Sequence, residues 1–312
     1  MLWVFRIIGL IIVVALGAYL LAEMRLKPLN ENARAKAPGS FAELSAGQVH
    51  YRWDGPEEGP VVVLVHGFST PNFIYAQNVE ALTAAGFRTL RFDHFGRGWS
   101  DRPRTKYDIE FYDRALNELL AQVGIDEPFG LAGLSMGGPI VAEFAARYPE
   151  RVERLVLLVP AGLDTAGADS FSARLVRTPV IGDWLWRMIG KSTLLGDSQY
   201  DESARAPENQ LKGDVAEQFE YRGYLQALLS TLRHMPMTDR EDTFTRLAAT
   251  GVPVLAIYGD ADETVLVSSA ARLEGLMPDA DIRVVEGGEH GLNYQMHTLV
   301  NPWLVEWFSA DQ

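Results

Sequence analysis

The chain has 312 residues, enough for one large domain or a domain with an insertion, and its 47% hydrophobic and 22% charged content is that of a globular protein. Its net charge of −13 argues against nucleic acid or an anionic membrane surface as the main partner. The absence of cysteine excludes disulfides, thiolate metal sites and a cysteine nucleophile, and is compatible with any compartment.

The N-terminus differs from the rest. Ile7 to Ala22 is a continuous apolar run, preceded by Leu2-Trp3-Val4-Phe5 and a single Arg6. It is slightly long for the apolar part of a signal peptide and short for a membrane span unless Leu2 to Phe5 is included. Leu20-Leu21-Ala22 has leucine where a cleavage site wants a small residue. Residues 1–26 therefore read as an uncleaved anchor that makes the lipid bilayer a partner, with a cleaved signal peptide and export as the alternative. Arg6 before the run and Arg25, Lys27, Arg34 and Lys36 after it leave the orientation open. Residues 27–40, with Pro28, Pro38 and Gly39, read as a linker.

From about residue 41 short β-rich runs alternate with longer amphipathic stretches. Val61 to Val65, Leu155 to Val159 and Val254 to Tyr258 are continuous apolar runs, as a strand buried on both faces requires. Arg88-Thr89-Leu90-Arg91-Phe92 alternates, which places it nearer an edge or an end of the sheet, and Ile282 to Val285 closes the series. Helices are predicted at 107–123, 137–148, 265–276 and 294–309. Strands alternating with helices imply an α/β fold with a mostly parallel sheet covered on both faces and a site at the strands' carboxyl ends. The alternation stops between 163 and 248. This stretch is helix-like and punctuated by Pro179, Gly182, Gly190, Gly213 and Gly223, and it reads as a helical cap over those strand ends. The core is then 41–162 with 249–312.

Gly133-Leu134-Ser135-Met136-Gly137 lies between the apolar run Phe129 to Ala132 and a helix-like stretch. A G-x-S-x-G at a strand-to-helix junction is the pattern of a sharp turn that lifts a serine hydroxyl clear of the backbone. Five residues prove little alone, because a serine is a poor nucleophile without a base, an acid that holds the base, and oxyanion donors. Of six histidines, His290 follows the last apolar strand in a glycine-flanked loop and is the candidate base. His297 reads as structural, and His50 and His234 have no supporting context. For the acid, Asp262 follows a strand directly; Asp260 reads as a turn or cap residue and Asp164 is the fallback. Backbone N–H groups of Met136, after the serine, and of Phe68, in the His66-Gly67-Phe68-Ser69 loop, are the candidate oxyanion donors. His66 reads as a loop organiser rather than a second base.

With these residues in view, the chain from about 41 to 309 resembles an α/β-hydrolase fold enzyme of the serine esterase or lipase type with a cap domain. The resemblance rests on His66-Gly67, Asp93 to Ser100, the Ser135 turn, the Asp262 turn and the His290 loop, in the chain order nucleophile, acid, base. It implies that Asp93 to Ser100 shapes the site without doing chemistry. Glu289, where the family commonly has glycine, is a departure beside the base. The fold hosts many reactions, and the nucleophile narrows them. Serine argues against the dehalogenases and epoxide hydrolases of the fold, which use aspartate. Hydrolysis of a carboxylic ester is expected, as by a carboxylesterase or monoacylglycerol lipase. C–C bond hydrolases and cofactor-free perhydrolases share the triad, and a non-catalytic binding module is the alternative of another class. The sequence shows no metal-ligand cluster, phosphate loop or dinucleotide fingerprint, so no cofactor is expected. The apolar stretch 171–189 suggests an apolar acyl group, with Trp184, Trp186 and Met188 as candidate substrate contacts.

Overall fold

The computed structural model describes residues 2–196, 198–200, 211–235 and 237–310. Parts of the predicted cap (197, 201–210 and 236) and the chain ends (1, 311 and 312) lie outside the described residues. Eight strands form one sheet: β1 (Ser40–Leu44), β2 (Gly47–Asp54), β3 (Val61–Val65), β4 (Arg88–Phe92), β5 (Phe129–Leu134), β6 (Val152–Leu158), β7 (Val254–Gly259) and β8 (Asp281–Val285). Their order is β1-β2-β4-β3-β5-β6-β7-β8, with β1–β2 and β2–β4 antiparallel and every later pair parallel.

The helices are α1 (Leu2–Met24), α2 (Glu31–Arg34), α3 (Ala76–Ala84), α4 (Ile109–Gln122), α5 (Gly137–Arg147), α6 (Phe171–Arg177), α7 (Ile181–Leu195), α8 (Leu211–Gln218), α9 (Tyr224–His234), α10 (Glu241–Ala248), α11 (Ser268–Leu276), α12 (Leu292–Gln295) and α13 (His297–Ser309). Two apolar layers sandwich the sheet. One joins alternate strand residues such as Val63 and Leu157 to α4, α5, α10 and α11; the other joins Val62, Leu64 and Val156 to α3, α12 and α13. Coverage on both faces explains why β5 and β7 are buried at every residue and show no alternation in sequence.

The expectation for Arg88 to Phe92 is corrected. β4 lies inside the sheet, between β2 and β3. Its arginines are accommodated by specific partners: Arg91 is buried with Nε donating to Asp54 Oδ2 at 3.0 Å, and Arg88 stacks on the Trp53 ring. A charged residue in an interior strand is tolerated when its charge is paired. The predicted C-terminal helix is divided at Met296 into α12 and α13.

Residues 27–40 are fastened to the body. Lys27 exchanges backbone hydrogen bonds with Glu220 and Arg222, and the Arg34 guanidinium holds the Trp99 carbonyl and the Asp101 carboxylate. Between β6 and β7 the chain forms a helical insertion. Within it α7 packs on α6, α8 and α9, whereas α10 packs on α5, where Thr243 and Arg246 hydrogen-bond to the buried Glu143.

Candidate active site

The chain leaves β5 at Leu134 and turns at once into α5, forcing Ser135 to a φ of +52°. A non-glycine residue there is strained, and the surroundings hold it: Ser135 N–H donates to Leu158 O at 2.9 Å, and its carbonyl accepts from Gly138 N–H and Ala161 N–H. The motif glycines are sterically required. A Cβ at Gly133 would lie 2.5 Å from Gly137 O and from Val141 Cγ2, and one at Gly137 would run into the Val65 carbonyl.

Ser135, Asp262 and His290 come together from the carboxyl ends of β5, β7 and β8. His290 Nε2 lies 2.9 Å from Ser135 Oγ, and His290 Nδ1 lies 2.8 Å from Asp262 Oδ2. The other Asp262 oxygen accepts from Thr264 N–H at 2.7 Å and Val265 N–H at 2.9 Å, so the buried carboxylate is clamped with one oxygen aimed at the imidazole. An acceptor at Nδ1 fixes the proton there and leaves Nε2 free to take the serine proton. Asp260 does a different job: its Oδ1 accepts from Gly287 N–H at 2.7 Å and ties the β7 turn to the loop carrying His290. Asp164 binds the Ser268 hydroxyl and Arg272 and so fastens the exit of β6 to α11. Glu289 leaves both hydrogen bonds of His290 intact.

The loop after β3 packs against the serine, with the Cβ position of Gly67 only 3.2 Å from Ser135 Cβ. Among the described residues, neither Phe68 N–H nor Met136 N–H donates a hydrogen bond, which leaves both able to donate to a bound oxygen. His66 orients the first of them. Its Nδ1 lies 2.8 Å from Gly67 O, and its Nε2 accepts from His94 N–H at 3.0 Å. Accepting at Nε2 requires a neutral ring with its proton on Nδ1, and burial enforces this by pushing the His66 pKa down to about 4. Gly67 C=O and Phe68 N–H belong to one trans peptide, so holding the carbonyl sets the direction of the N–H.

The insertion completes the loop's support. Tyr200 hydroxyl lies 2.6 Å from Thr70 Oγ1 and 3.0 Å from Ser69 Oγ, and Tyr224 hydroxyl donates to Ser69 O at 2.6 Å. Arg97, fully buried, donates to Phe68 O, Phe95 O and Thr231 Oγ1 and lies over the rings of Phe68, Tyr107 and Tyr112. Tyr200, Tyr224 and Arg97 carry no sequence signal for this role. They converge from distant parts of the chain, and only Arg97 stands in a recognisable stretch.

His50, without context in the sequence, is buried against Asp93. Its Nδ1 lies 2.7 Å from Asp93 Oδ2, and its Nε2 faces Pro38 O. Two acceptors call for the charged imidazolium. Burial opposes that charge, but the Asp93 carboxylate beside it and the two hydrogen bonds raise the His50 pKa. Asp93 shows the converse: burial works against ionisation, yet His50 and the Asn72 N–H hold it well below the usual carboxylate range. The pair anchors the Asp93–Ser100 stretch away from the serine. His234 Nδ1 faces Ser230 O within α9, and His297 Nδ1, at the start of α13, faces Tyr294 O of α12.

A pocket of about 110 Å³ opens on Ser135 and His290, lined by Phe68, Ile74, Leu134, Thr264 and, from the insertion, Leu194 and Gln199. The candidate contacts Trp184, Trp186 and Met188 do not line it. Trp186 is buried with Nε1 donating to Leu225 O, Trp184 Nε1 donates to Ala15 O of α1, and Met188 is half-buried elsewhere on α7. Part of the 171–189 stretch packs within the insertion and against α1, while Phe171, Val180, Ile181 and Ile189 stay exposed. The part of α7 that reaches the serine is its last turn.

Residues 60–295 match the model of the alpha/beta hydrolase fold family. The chain belongs to that family. It is 29% identical over 263 residues, 79% of its length and 90% of the relative's, to a Synechocystis sp. protein described as a non-heme chloroperoxidase. It is 28% identical to a 2-hydroxy-6-oxononadienedioate/2-hydroxy-6-oxononatrienedioate hydrolase of Burkholderia vietnamiensis, covering 88% of this chain and 96% of that one. Among solved structures it is similar to an enol-lactonase from Burkholderia xenovorans, with a TM-score of 0.71 and 23% identity over 86% of this chain and 99% of that one.

Proposed function

We propose that the protein is a serine hydrolase that cleaves carboxylic esters through an acyl-enzyme, with Ser135 as nucleophile, His290 as general base and acid, and Asp262 as the group that orients it. The observation that carries this reading is the unbroken hydrogen-bonded line Ser135–His290–Asp262 beside two undonated N–H groups. Ser135 Oγ attacks the ester carbonyl carbon as His290 Nε2 takes its proton. The carbonyl electron pair becomes an oxyanion at Phe68 and Met136 N–H. Its collapse expels the alkoxide, which takes the proton from His290, and a water molecule repeats the sequence on the acyl-enzyme.

The pocket favours an ester over the dianionic substrate named for the Burkholderia vietnamiensis relative. Two carboxylates need cationic partners, and among the described residues lining this pocket none is cationic. Its apolar side chains suit an uncharged, apolar acyl group of modest size. The test is turnover of p-nitrophenyl esters of graded chain length by the full protein and by Ser135→Ala. The variant is expected to lose about four orders of magnitude or more in kcat while staying folded. Unchanged turnover in Ser135→Ala would remove the serine from the mechanism, and faster cleavage of a dienedioate than of any ester would overturn the substrate class.

A further inference from the structure

α1 is apolar but for Arg6 and Glu23, with the Trp3–Met24 segment long enough to cross a membrane and none of its most apolar window buried. It is nevertheless attached to the insertion. Trp184 Nε1 donates to Ala15 O at 2.9 Å, and Arg187 pairs with Glu23 at 2.9 Å and donates to Ala22 O. Ile12, Leu16 and Tyr19 face Val180, Ile181 and Leu185 of the α7 end across an open apolar groove of about 740 Å³. The part of α1 free of the insertion is thus Leu2 to Ile11, about 15 Å at 1.5 Å per residue. That is half of the roughly 30 Å hydrocarbon core. If α1 spans, the end of α7 is drawn into the bilayer beside it; if α1 lies in the membrane plane, the end of α7 lies there too.

The insertion presents the side chains such a position needs. Phe171 is 81% exposed, Val180 79% and Ile181 55%. Val180 is held out by a strained turn. Its φ is +68°, in a γ-turn closed by Ile181 N–H to Pro179 O at 2.8 Å and pinned by Val180 N–H to Asp183 Oδ2. A β-branched residue in that turn costs energy, and in water it also exposes an apolar side chain, so neither cost is recovered in the free protein. Exposed Arg6, Arg25 and Arg174 on or beside the same two elements match lipid phosphates despite the overall charge of −13.

We propose that α1 and the α6–α7 edge form one lipid-facing surface, so that the insertion, and not the N-terminal helix alone, lies in the bilayer interface. α7 then runs from the lipid at Ile181 to the pocket at Leu194, about 20 Å, and links the membrane to the serine. The proposal rests on α1 remaining part of the chain and is independent of the ester chemistry.

The absence of cysteine makes the test direct. Phe171→Cys, Val180→Cys and Ile181→Cys, with Val13→Cys on α1 and Asp126→Cys on an exposed loop of the core, each carry one environment-sensitive fluorophore on the full chain. The labelled proteins are reconstituted into phosphatidylcholine–phosphatidylglycerol vesicles with and without nitroxide-labelled acyl chains. The probes at 171, 180 and 181 are expected to emit as in an apolar medium and to be quenched by nitroxide lipid as at 13, while that at 126 stays water-like and unquenched. Water-like emission at all three insertion sites with quenching at 13 overturns the proposal and leaves α1 as a simple tether. Apolar emission without nitroxide quenching also overturns it, in favour of a second protein copy covering the patch. No quenching at 13 removes the membrane altogether. None of these readouts depends on ester turnover, so failure here and failure of the proposed activity are distinguishable.

Discussion

Replacing Asp262 by asparagine tests the acid assignment with little change of shape. Asp262 Oδ1 accepts from Thr264 and Val265 N–H, and Oδ2 faces His290 Nδ1. In Asp262→Asn the amide oxygen keeps the two backbone donors, because an NH₂ group there would face two N–H groups. The amide NH₂ is then turned toward His290 and, as a donor, forces Nδ1 to become the acceptor. The imidazole proton moves to Nε2, which can no longer accept from Ser135. Loss of the correct tautomer in a serine triad costs about 10⁴ in kcat, or about 5.5 kcal/mol of transition-state stabilisation. Stability should change by only about 1 kcal/mol, since the two backbone hydrogen bonds remain. The assay is kcat and KM on a short p-nitrophenyl ester beside a thermal melt. Asp260→Asn and Asp164→Asn serve as comparisons, because their partners are Gly287 N–H and the Ser268–Arg272 pair. A loss in Asp262→Asn of less than about tenfold, or an equal loss in Asp164→Asn with the fold intact, would refute the reasoning.

Removal of His66 should act through the oxyanion. His66→Ala releases Gly67 O and is expected to lower kcat about 100-fold, the cost of one misdirected donor, with a smaller effect on KM. An equal rise in KM at unchanged kcat would show that the loop binds substrate instead. The His50–Asp93 pair predicts a pH window in stability. His50 is raised above its ordinary value of 6.5, so its contribution is full below that pH and is lost as pH rises through the folded value. Asp93 is depressed below 3.8, so its contribution is full above that pH and is lost as pH falls through the folded value. The Tm difference between the parent and Asp93→Asn should therefore be largest between about pH 4 and 6.5 and shrink on both sides, as followed by thermal melts across pH. A difference independent of pH would mean that the pair is not ionised.

Much of this protein was legible in one dimension because its signals are local. A strand stretch covered on both faces is apolar unless its charges are paired, so β3, β6 and β7 announced themselves through Val61 to Val65, Leu155 to Val159 and Val254 to Tyr258. A serine forced to positive φ between two close-packed elements must have glycines at 133 and 137, so the turn carried its own spelling. Parallel strands place their following loops at one edge, and chain order alone then put Ser135, Asp262 and His290 within reach of one another.

What the sequence withheld depends on partners far apart in the chain. That β4 is interior was hidden because Arg91 is neutralised by Asp54 on another strand. That His50 is buried against a carboxylate was hidden because its partners, Asp93 and Pro38, come from two other segments. The support of the Phe68–Thr70 loop by Tyr200, Tyr224 and Arg97, and the turning of Trp184 toward α1 rather than toward the serine, follow from how the helical insertion packs. A helix stretch records that it is apolar but not which surface it will cover. Ser135 and its turn were therefore fixed by local stereochemistry, while the walls of the pocket and the exposed apolar face of the insertion were decided by tertiary packing alone.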